Sequence, residues 1–398
     1  MKARRLIAAA SVAASAAAAV WAWRNQSEIA TRRPINEWTF THMNRVMPTE
    51  SAQAPAHATP LPHGAPMPPV TYSFEGETCT LPDLHRRTHT TSFVVLHRGR
   101  IVAEEYPGAF AAPDRRFQVY SLTKSVTSML FGIALERGEI ASIDDPVVTY
   151  RPELAGTGYD GPTIGHLLNM TSGVGELEDW TVRDSPINRF QDAVTTGGSI
   201  LDVIRSLPVR SKPGEAFLYS TIDTHVLGWV LEAATGRTLA QYASEHLLGP
   251  IGAEHDAYYF LSRGRPRTAL GGGSLNITTR DLARIGLLAM NEGRAGETQV
   301  VPAPWVARSR GADIPHLDVG ALGASGYPHY GYSNLWWTLG GEHRAFTGLG
   351  VHGQYLWVDP DREVVIAKTS AWTTADDEAR DRETVAALTA IVEALDTL

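Results

Sequence analysis

From Thr91 onward the apolar positions follow first a strand-like and then a helical period. Phe93-Val94-Val95-Leu96 and Ile101-Val102-Ala103 flank a basic, glycine-containing turn, His97-Arg98-Gly99-Arg100, which predicts a β-hairpin running to Tyr106. Val126, Met129, Leu130, Ile133 and Ala134 recur at helical spacing, so a helix is predicted over 121–137 with Gly138 as its stop. Helical patterns and loops dominate to about residue 259, including a helix over 224–235 that Gly236 closes. Another helix covers 280–291, strands return over 355–358 and 364–368, and a last helix begins near Asp377. Strands from both ends of the chain thus enclose a helical middle. The economical arrangement is an α+β fold: one antiparallel β-sheet closed by both termini and flanked by helices, with a mostly helical lobe inserted over about 140–265.

The segment before this domain (71–398) has a different texture. Lys2, Arg4 and Arg5 precede an apolar run over 6–23, which Arg24 closes. Such a run is expected to be a signal peptide or a membrane anchor over 1–23, and the protein to be exported, periplasmic or extracellular. Small residues near Ala14 to Ala18 suit cleavage, whereas Trp21 and Trp23 suit a retained tether through residues 6–23. Residues 24–70 carry Pro48, Pro55, Pro60, Pro62, Pro66, Pro68 and Pro69, and read as a proline-rich tether. A more apolar island near 36–48, with Trp38, Phe40 and Met47, is expected to dock on the main body.

Composition removes several function classes. A net charge of −8 without a basic stripe argues against nucleic acid as a partner. Cys79 is the single cysteine, so neither an intrachain disulfide nor a thiolate metal cluster can form. His85 and His89 stand four apart, but the Arg86-Arg87-Thr88 between them lacks the metalloprotease glutamate, and no metal or cofactor is expected. No Gly-x-Ser-x-Gly elbow and no phosphate loop is present.

Candidate chemistry sits in Ser121-Leu122-Thr123-Lys124. At the start of a helix, positions three apart share a face, so hydroxyl and amine can meet. A serine is a weak nucleophile until a base takes its proton, and a desolvated lysine can be that base. Alone, the same spacing fits an N-cap serine with a solvated lysine. Two further segments change the weighing: Pro213-Gly214-Glu215-Ala216-Phe217-Leu218-Tyr219-Ser220 leads into a helix, and Thr347-Gly348-Leu349-Gly350-Val351-His352-Gly353-Gln354 leads into a strand.

With these three segments in this order, residues 90–398 resemble the serine β-lactamase and penicillin-binding-protein superfamily, in its class C-like esterase and amidase branch. Leu167-Leu168-Asn169-Met170-Thr171-Ser172-Gly173 and Gly271-Gly272-Gly273-Ser274 extend the likeness. The run 350–360 and the island near Trp38 look most like 6-aminohexanoate-dimer hydrolases, which cleave a linear amide. The resemblance implies a β-lactamase/DD-peptidase-like fold and a small ester or amide as substrate. It implies Ser121 as the acylated nucleophile, Lys124 as its proton acceptor and Tyr219 as general base and acid, its phenolate favoured by a nearby Lys124 cation. The oxyanion hole would pair the N–H of Ser121 with that of Val351. Trp180 would wall the substrate pocket or pack a loop, and His352, with Gly353, would line the site or fix a turn.

The chain also departs from the family pattern. The third motif lacks the lysine that holds a penicillin carboxylate, and Lys368-Thr369-Ser370 is read as a decoy at a strand end. Thr221 replaces the asparagine two residues after Tyr219, and Asp223, if it faces inward, would disfavour anionic substrates. Trp180 stands where amide-cleaving relatives have a tyrosine, which favours esters over amides. A β-lactamase, a D-alanyl-D-alanine peptidase and a penicillin sensor that does not turn over are the alternatives. Oligomeric state is not legible in these residues.

Overall fold

The computed structural model describes residues 26–264, 267–311, 331–339 and 345–397. The expected hairpin forms from β1 (Thr90–His97) and β2 (Arg100–Glu105). The C-terminal third supplies β3 (Gly331–Ser333), β4 (Trp336–Thr338), β5 (Phe346–Gly350), β6 (Gln354–Asp359) and β7 (Val364–Ser370). Their order is β3-β4-β5-β6-β7-β1-β2, antiparallel throughout. The two ends of the chain meet where Ile366 of β7 pairs with Val95 of β1.

Three helices frame this sheet, α1 (Thr123–Glu136), α3 (Thr279–Met290) and α4 (Glu378–Asp396), and α2 (Thr221–Thr235) packs on α1 in the helical lobe. β1, β6 and β7 are buried at every position because helices cover both faces. α3 packs so closely on one face that a Cβ at Gly286 would come within 2.5 Å of Val365 and 2.8 Å of Leu356. α4 covers the other face, where Tyr355, the neighbour of Leu356, donates its hydroxyl to Asp381. Helical segments and loops fill most of the chain between α1 and Ala257, as the pattern predicts.

A second antiparallel sheet was not legible in the sequence. It orders Thr49–Ala52, Ala257–Phe260, Leu275–Thr278 and Arg116–Gln118, strands of three or four residues, too short for a periodic signal. It matters for the site. One of its strands runs into the Ser121 turn and another follows the Gly271-Gly272-Gly273 loop.

Residues 26–70 are a packed part of the domain rather than a tether. Asn36 is buried and donates from Nδ2 to the carbonyls of Ala371 and Trp372, 3.2 and 3.0 Å away. Phe40 sits 5.0 Å, ring to ring, from both Tyr120 and His352. Thr49–Ala52 pairs with Ala257–Phe260. The proline-rich stretch lies along the sheet edge, where Ile101 donates to the Pro62 carbonyl and Gly64 and Met67 donate to β2 carbonyls. Prolines cannot supply a full ladder, so they cover the β2 edge and block further pairing. Residues 1–23, expected as signal or anchor, lie outside the described residues. Among the described residues no helix is long and apolar enough to cross a membrane.

Lys368 does not reach solvent. Its amine donates to Ser370 Oγ and lies 5.5 and 5.7 Å from the ring centroids of Tyr355 and Trp372. Burial pushes its pKa down to about 7, against the pull of Asp381 and Glu383. Between about pH 7 and its ordinary value of 10.5 the unfolded chain therefore binds this proton more tightly than the folded one, and this group adds stability as pH rises through that window. The melting temperature of Lys368→Met is expected to exceed that of the wild type at pH 6, with the gap closing by pH 10. A gap that does not change with pH would contradict the assignment.

Candidate active site

Ser121 lies in a 3₁₀ turn, Tyr120–Leu122, that runs directly into α1. The preceding residue, Tyr120, has φ of +48°, a left-handed conformation that a bulky side chain adopts only when its surroundings hold it. Phe40 and His352 do so, with ring centroids 5.0 and 5.2 Å away. The strained turn points Ser121 into a cavity of about 280 Å³.

Behind Ser121 sits Lys124, only 1% exposed. Its amine makes three hydrogen bonds, to Ser121 Oγ at 2.9 Å, Thr221 Oγ1 at 3.0 Å and the Gly272 carbonyl at 3.1 Å. Three donors meet three acceptors, so a fully buried ammonium is satisfied. Burial still lowers its pKa to about 8, opposed by the charge of Glu178. A large fraction is thus neutral in mildly alkaline water, which a base requires.

Tyr219 comes from the segment ahead of α2, whose N-cap Ser220 accepts from the Asp223 N–H at 3.1 Å. The Lys124 amine lies over the face of its ring, 4.8 Å from the centroid, and Ser121 hydrogen-bonds to its oxygen. Burial, with the Glu178 charge, drives the phenol pKa well above its ordinary range, and the Ser121 bond only partly offsets this. Lys124 nearby does not yield a phenolate. Tyr219 stays protonated, which suits a proton donor better than a base.

The opposite wall is the end of β5 and the turn after it: Leu349, Gly350 and Val351. Glycine makes this approach possible, since a Cβ at Gly350 would lie 2.4 Å from the Val119 carbonyl. The turn and Ser121 thereby line one cavity. Trp180 and Trp337 add aromatic walls, Leu177 an exposed apolar rim, and Tyr219 stacks on Trp337 at 5.6 Å.

Three of the sequence-selected residues are elsewhere. Asp223 is wholly buried, accepts from the Tyr159 hydroxyl at 2.7 Å and does not line the cavity; burial raises its pKa to about 7. It faces the helix core because the Ser220 cap commits the first turn of α2 to that orientation. His352 is buried behind the wall, its Nδ1 3.0 Å from the Trp372 carbonyl, and burial holds its pKa down to about 4. It fixes the turn in the neutral form. Gly353 is also structural: φ is +86° and a Cβ would strike Trp372 at 2.3 Å.

Two groups at the site had no sequence signal. Glu178 lines the cavity and accepts from Thr221 Oγ1 at 3.0 Å and, closely, from the Thr221 N–H. Asp376, Asp377, Glu378 and Asp381, at the start of α4, line the outer end. No lysine or arginine lines the cavity among the described residues. No cluster that could hold a metal occurs among them either.

A serine after a strained tyrosine, a buried lysine and a second tyrosine, beneath a glycine-opened strand, invite comparison with known families. The family model described as Beta-lactamase matches residues 77–391. The chain belongs to the beta-lactamase family. It is a hydrolase of the serine hydrolase superfamily. The chain is 31% identical over 356 residues to a 6-aminohexanoate-dimer hydrolase of Paenarthrobacter ureafaciens, covering 86% of this chain and 87% of that one. It is 29% identical over 171 residues to Esterase EstB of Burkholderia gladioli, covering 40% and 42%. A Bacillus anthracis structure provisionally assigned as a 6-aminohexanoate-dimer hydrolase superposes with a TM-score of 0.82 at 24% identity, covering 93% and 96%. That last likeness carries the fold, which is the α+β arrangement expected.

If Lys124 deprotonates Ser121, labelling of Ser121 by a serine-directed fluorophosphonate should speed up with pH, with a midpoint at about 8. Intact-mass measurement of labelling rates checks this. A rate that does not vary from pH 6 to 10 would remove Lys124 from the role.

Proposed function

We propose that this family member is a serine hydrolase cleaving small esters or linear amides, of the 6-aminohexanoate-oligomer type, through an acyl-enzyme on Ser121. The observation that carries the reading is the hydrogen bond from Lys124 to Ser121 at the floor of a cavity walled by aromatic and acidic side chains. Neutral Lys124 takes the Ser121 proton as Oγ bonds to the substrate carbonyl carbon. The N–H groups of Ser121 and Val351 receive the oxyanion. As the C–O or C–N bond breaks, Tyr219 gives its proton to the leaving alcohol or amine and regains one from Lys124. Water then attacks the acyl carbon and its proton passes to Lys124; the bond from the acyl carbon to Ser121 Oγ breaks, Lys124 returns the proton to Oγ, and the acid departs.

The charge of the cavity supports a substrate with a cationic or neutral chain. Asp377 and Glu378 pair with Arg380 and Arg382, and Lys124 opposes the charge of Glu178, but Asp376 adds an acidic group that no described arginine or lysine in the lining pairs with. Penicillins and D-alanyl peptides present a carboxylate, which such a cavity repels. An acyl chain ending in an ammonium group fits it, as in the acyl half of a 6-aminohexanoate dimer, whose other half ends in a carboxylate. Trp180 offers no hydroxyl to an amide nitrogen, which supports esters as the faster class.

The test is hydrolysis of short nitrophenyl esters by the full chain, with Ser121→Ala alongside. Turnover is expected in the wild type and a loss of roughly a thousandfold or more in the variant. With acyl chains of equal length, an ammonium end should exceed a carboxylate end by about tenfold or more in kcat/KM. Absence of Ser121-dependent turnover, or a preference for the carboxylate end, would overturn the reading.

A further inference from the structure

Lys124 must do more than lose a proton to act as a base. Its lone pair must then face Ser121. The three acceptors around the amine decide where that lone pair points. The Gly272 carbonyl can only accept. Thr221 Oγ1 is a hydroxyl and could either accept from Lys124 or donate to it, and in the second case it would occupy the lone pair. Glu178 removes that freedom. Its carboxylate accepts the Thr221 hydroxyl proton at 3.0 Å and is itself held by the Thr221 N–H. With its one proton committed to Glu178, Thr221 Oγ1 can only accept from Lys124, 3.0 Å away. A neutral amine has two N–H bonds. They go to Thr221 and Gly272, and the lone pair is left toward Ser121 Oγ at 2.9 Å.

We propose that Glu178 is a positioning residue for base catalysis, acting on Lys124 through the Thr221 hydroxyl. This rests on Ser121 and Lys124 being nucleophile and base. Glu178 neither touches the reacting serine nor needs to. It orients the hydroxyl, and its charge governs how readily the amine gives up its own proton.

The electrostatics agree with the geometry. Burial raises the Glu178 carboxyl and lowers the Lys124 amine, each opposed by the charge of the other. The other titratable groups facing the pair are Tyr159, Tyr219, Asp223 of α2, Tyr332 of β3 and Asp376 ahead of α4. Asp376 pushes Glu178 up, and Glu178 pushes the other four up. Removing the Glu178 charge favours neutral Lys124, so the amine loses its proton at lower pH. Its lone pair, however, is no longer directed.

These two consequences separate a positioning role from a merely structural one. In Glu178→Gln the acidic limb of Ser121 labelling by the fluorophosphonate should move down by about one pH unit, while the plateau rate falls about tenfold or more. Thr221→Val should lose plateau rate likewise, and Thr221→Ser should restore it, since only the hydroxyl is used. A limb that stays in place in Glu178→Gln, or a Thr221→Val protein that labels at the wild-type rate, would overturn the proposal. Should Glu178→Gln fold poorly, the Thr221→Val and Thr221→Ser pair alone decides. The probe needs no substrate: normal labelling without ester or amide turnover would sink the proposed substrate class and leave the relay standing. A folded wild type whose Ser121 is never labelled would sink both.

Discussion

A lysine amine cut off from water must find every hydrogen-bond partner within the protein, and Lys124 finds three on three separate stretches of chain. An unmet N–H at such a place would cost a few kcal/mol, more if charged. The requirement therefore ties the Ser121 turn, the start of α2 and the Gly271-Gly272-Gly273 loop together. Each tie has its own local device. The Ser220 cap sets the first residue of α2. Glycine at 271 lets its loop approach α2 to where a Cβ would be 2.8 Å from the Thr224 carbonyl. The second sheet delivers both the Ser121 turn and the strand after the loop. The same burial that demands these partners makes the amine a usable base, so packing and chemistry have one cause.

Long elements with one clear period were legible in the sequence. α1 begins within two residues of the expected start and ends within one of the expected end, and α3 and the β1–β2 hairpin are equally close. Each repeats its pattern over enough residues to outweigh chance. Sequence distance defeated the rest. The four-stranded sheet joins Thr49–Ala52 to Ala257–Phe260, strands that show no pattern alone and form only because the rest of the domain brings them together. The proline-rich stretch has the composition of a tether. Beyond the island near 36–48 expected to dock, it is held by particular contacts, such as the Ile101 N–H to the Pro62 carbonyl, that composition does not record.

At the site, the motif residues Ser121, Lys124 and Tyr219 converge because a motif encodes residues that act as one unit. Residues taken from a motif's flanks fared differently. Asp223 and His352 lie within a few positions of the cavity, yet helix and turn geometry aims both side chains into the core. Glu178 is the reverse case. It stands on a loop 43 residues from Thr221, and nothing in its surrounding sequence marks it. Thr221 was the visible clue, a residue out of pattern beside the key tyrosine. A substituted hydroxyl needs something to orient it, and Glu178 is what the fold supplies.

The acidic mouth needs a separate argument, because a helix N-terminus attracts carboxylates for structural reasons. Asp377 caps α4 by accepting from the Arg380 N–H at 3.1 Å and also pairs with the Arg380 side chain. Asp381 takes the Tyr355 hydroxyl, and Glu378 pairs with Arg382 in the first turn. All three have work in the fold, and their charge is a weak guide to the substrate. Asp376 differs. It stands one residue before the cap, its burial raises its pKa, and its charge reaches across the cavity to Tyr219 and Glu178. A carboxylate kept there against its own desolvation makes no contribution to capping. It does line the same cavity as Ser121, within reach of a chain bound at the serine. The case for a cationic substrate end therefore rests on Asp376, since Glu178 already holds the first N–H of α2 and faces Lys124.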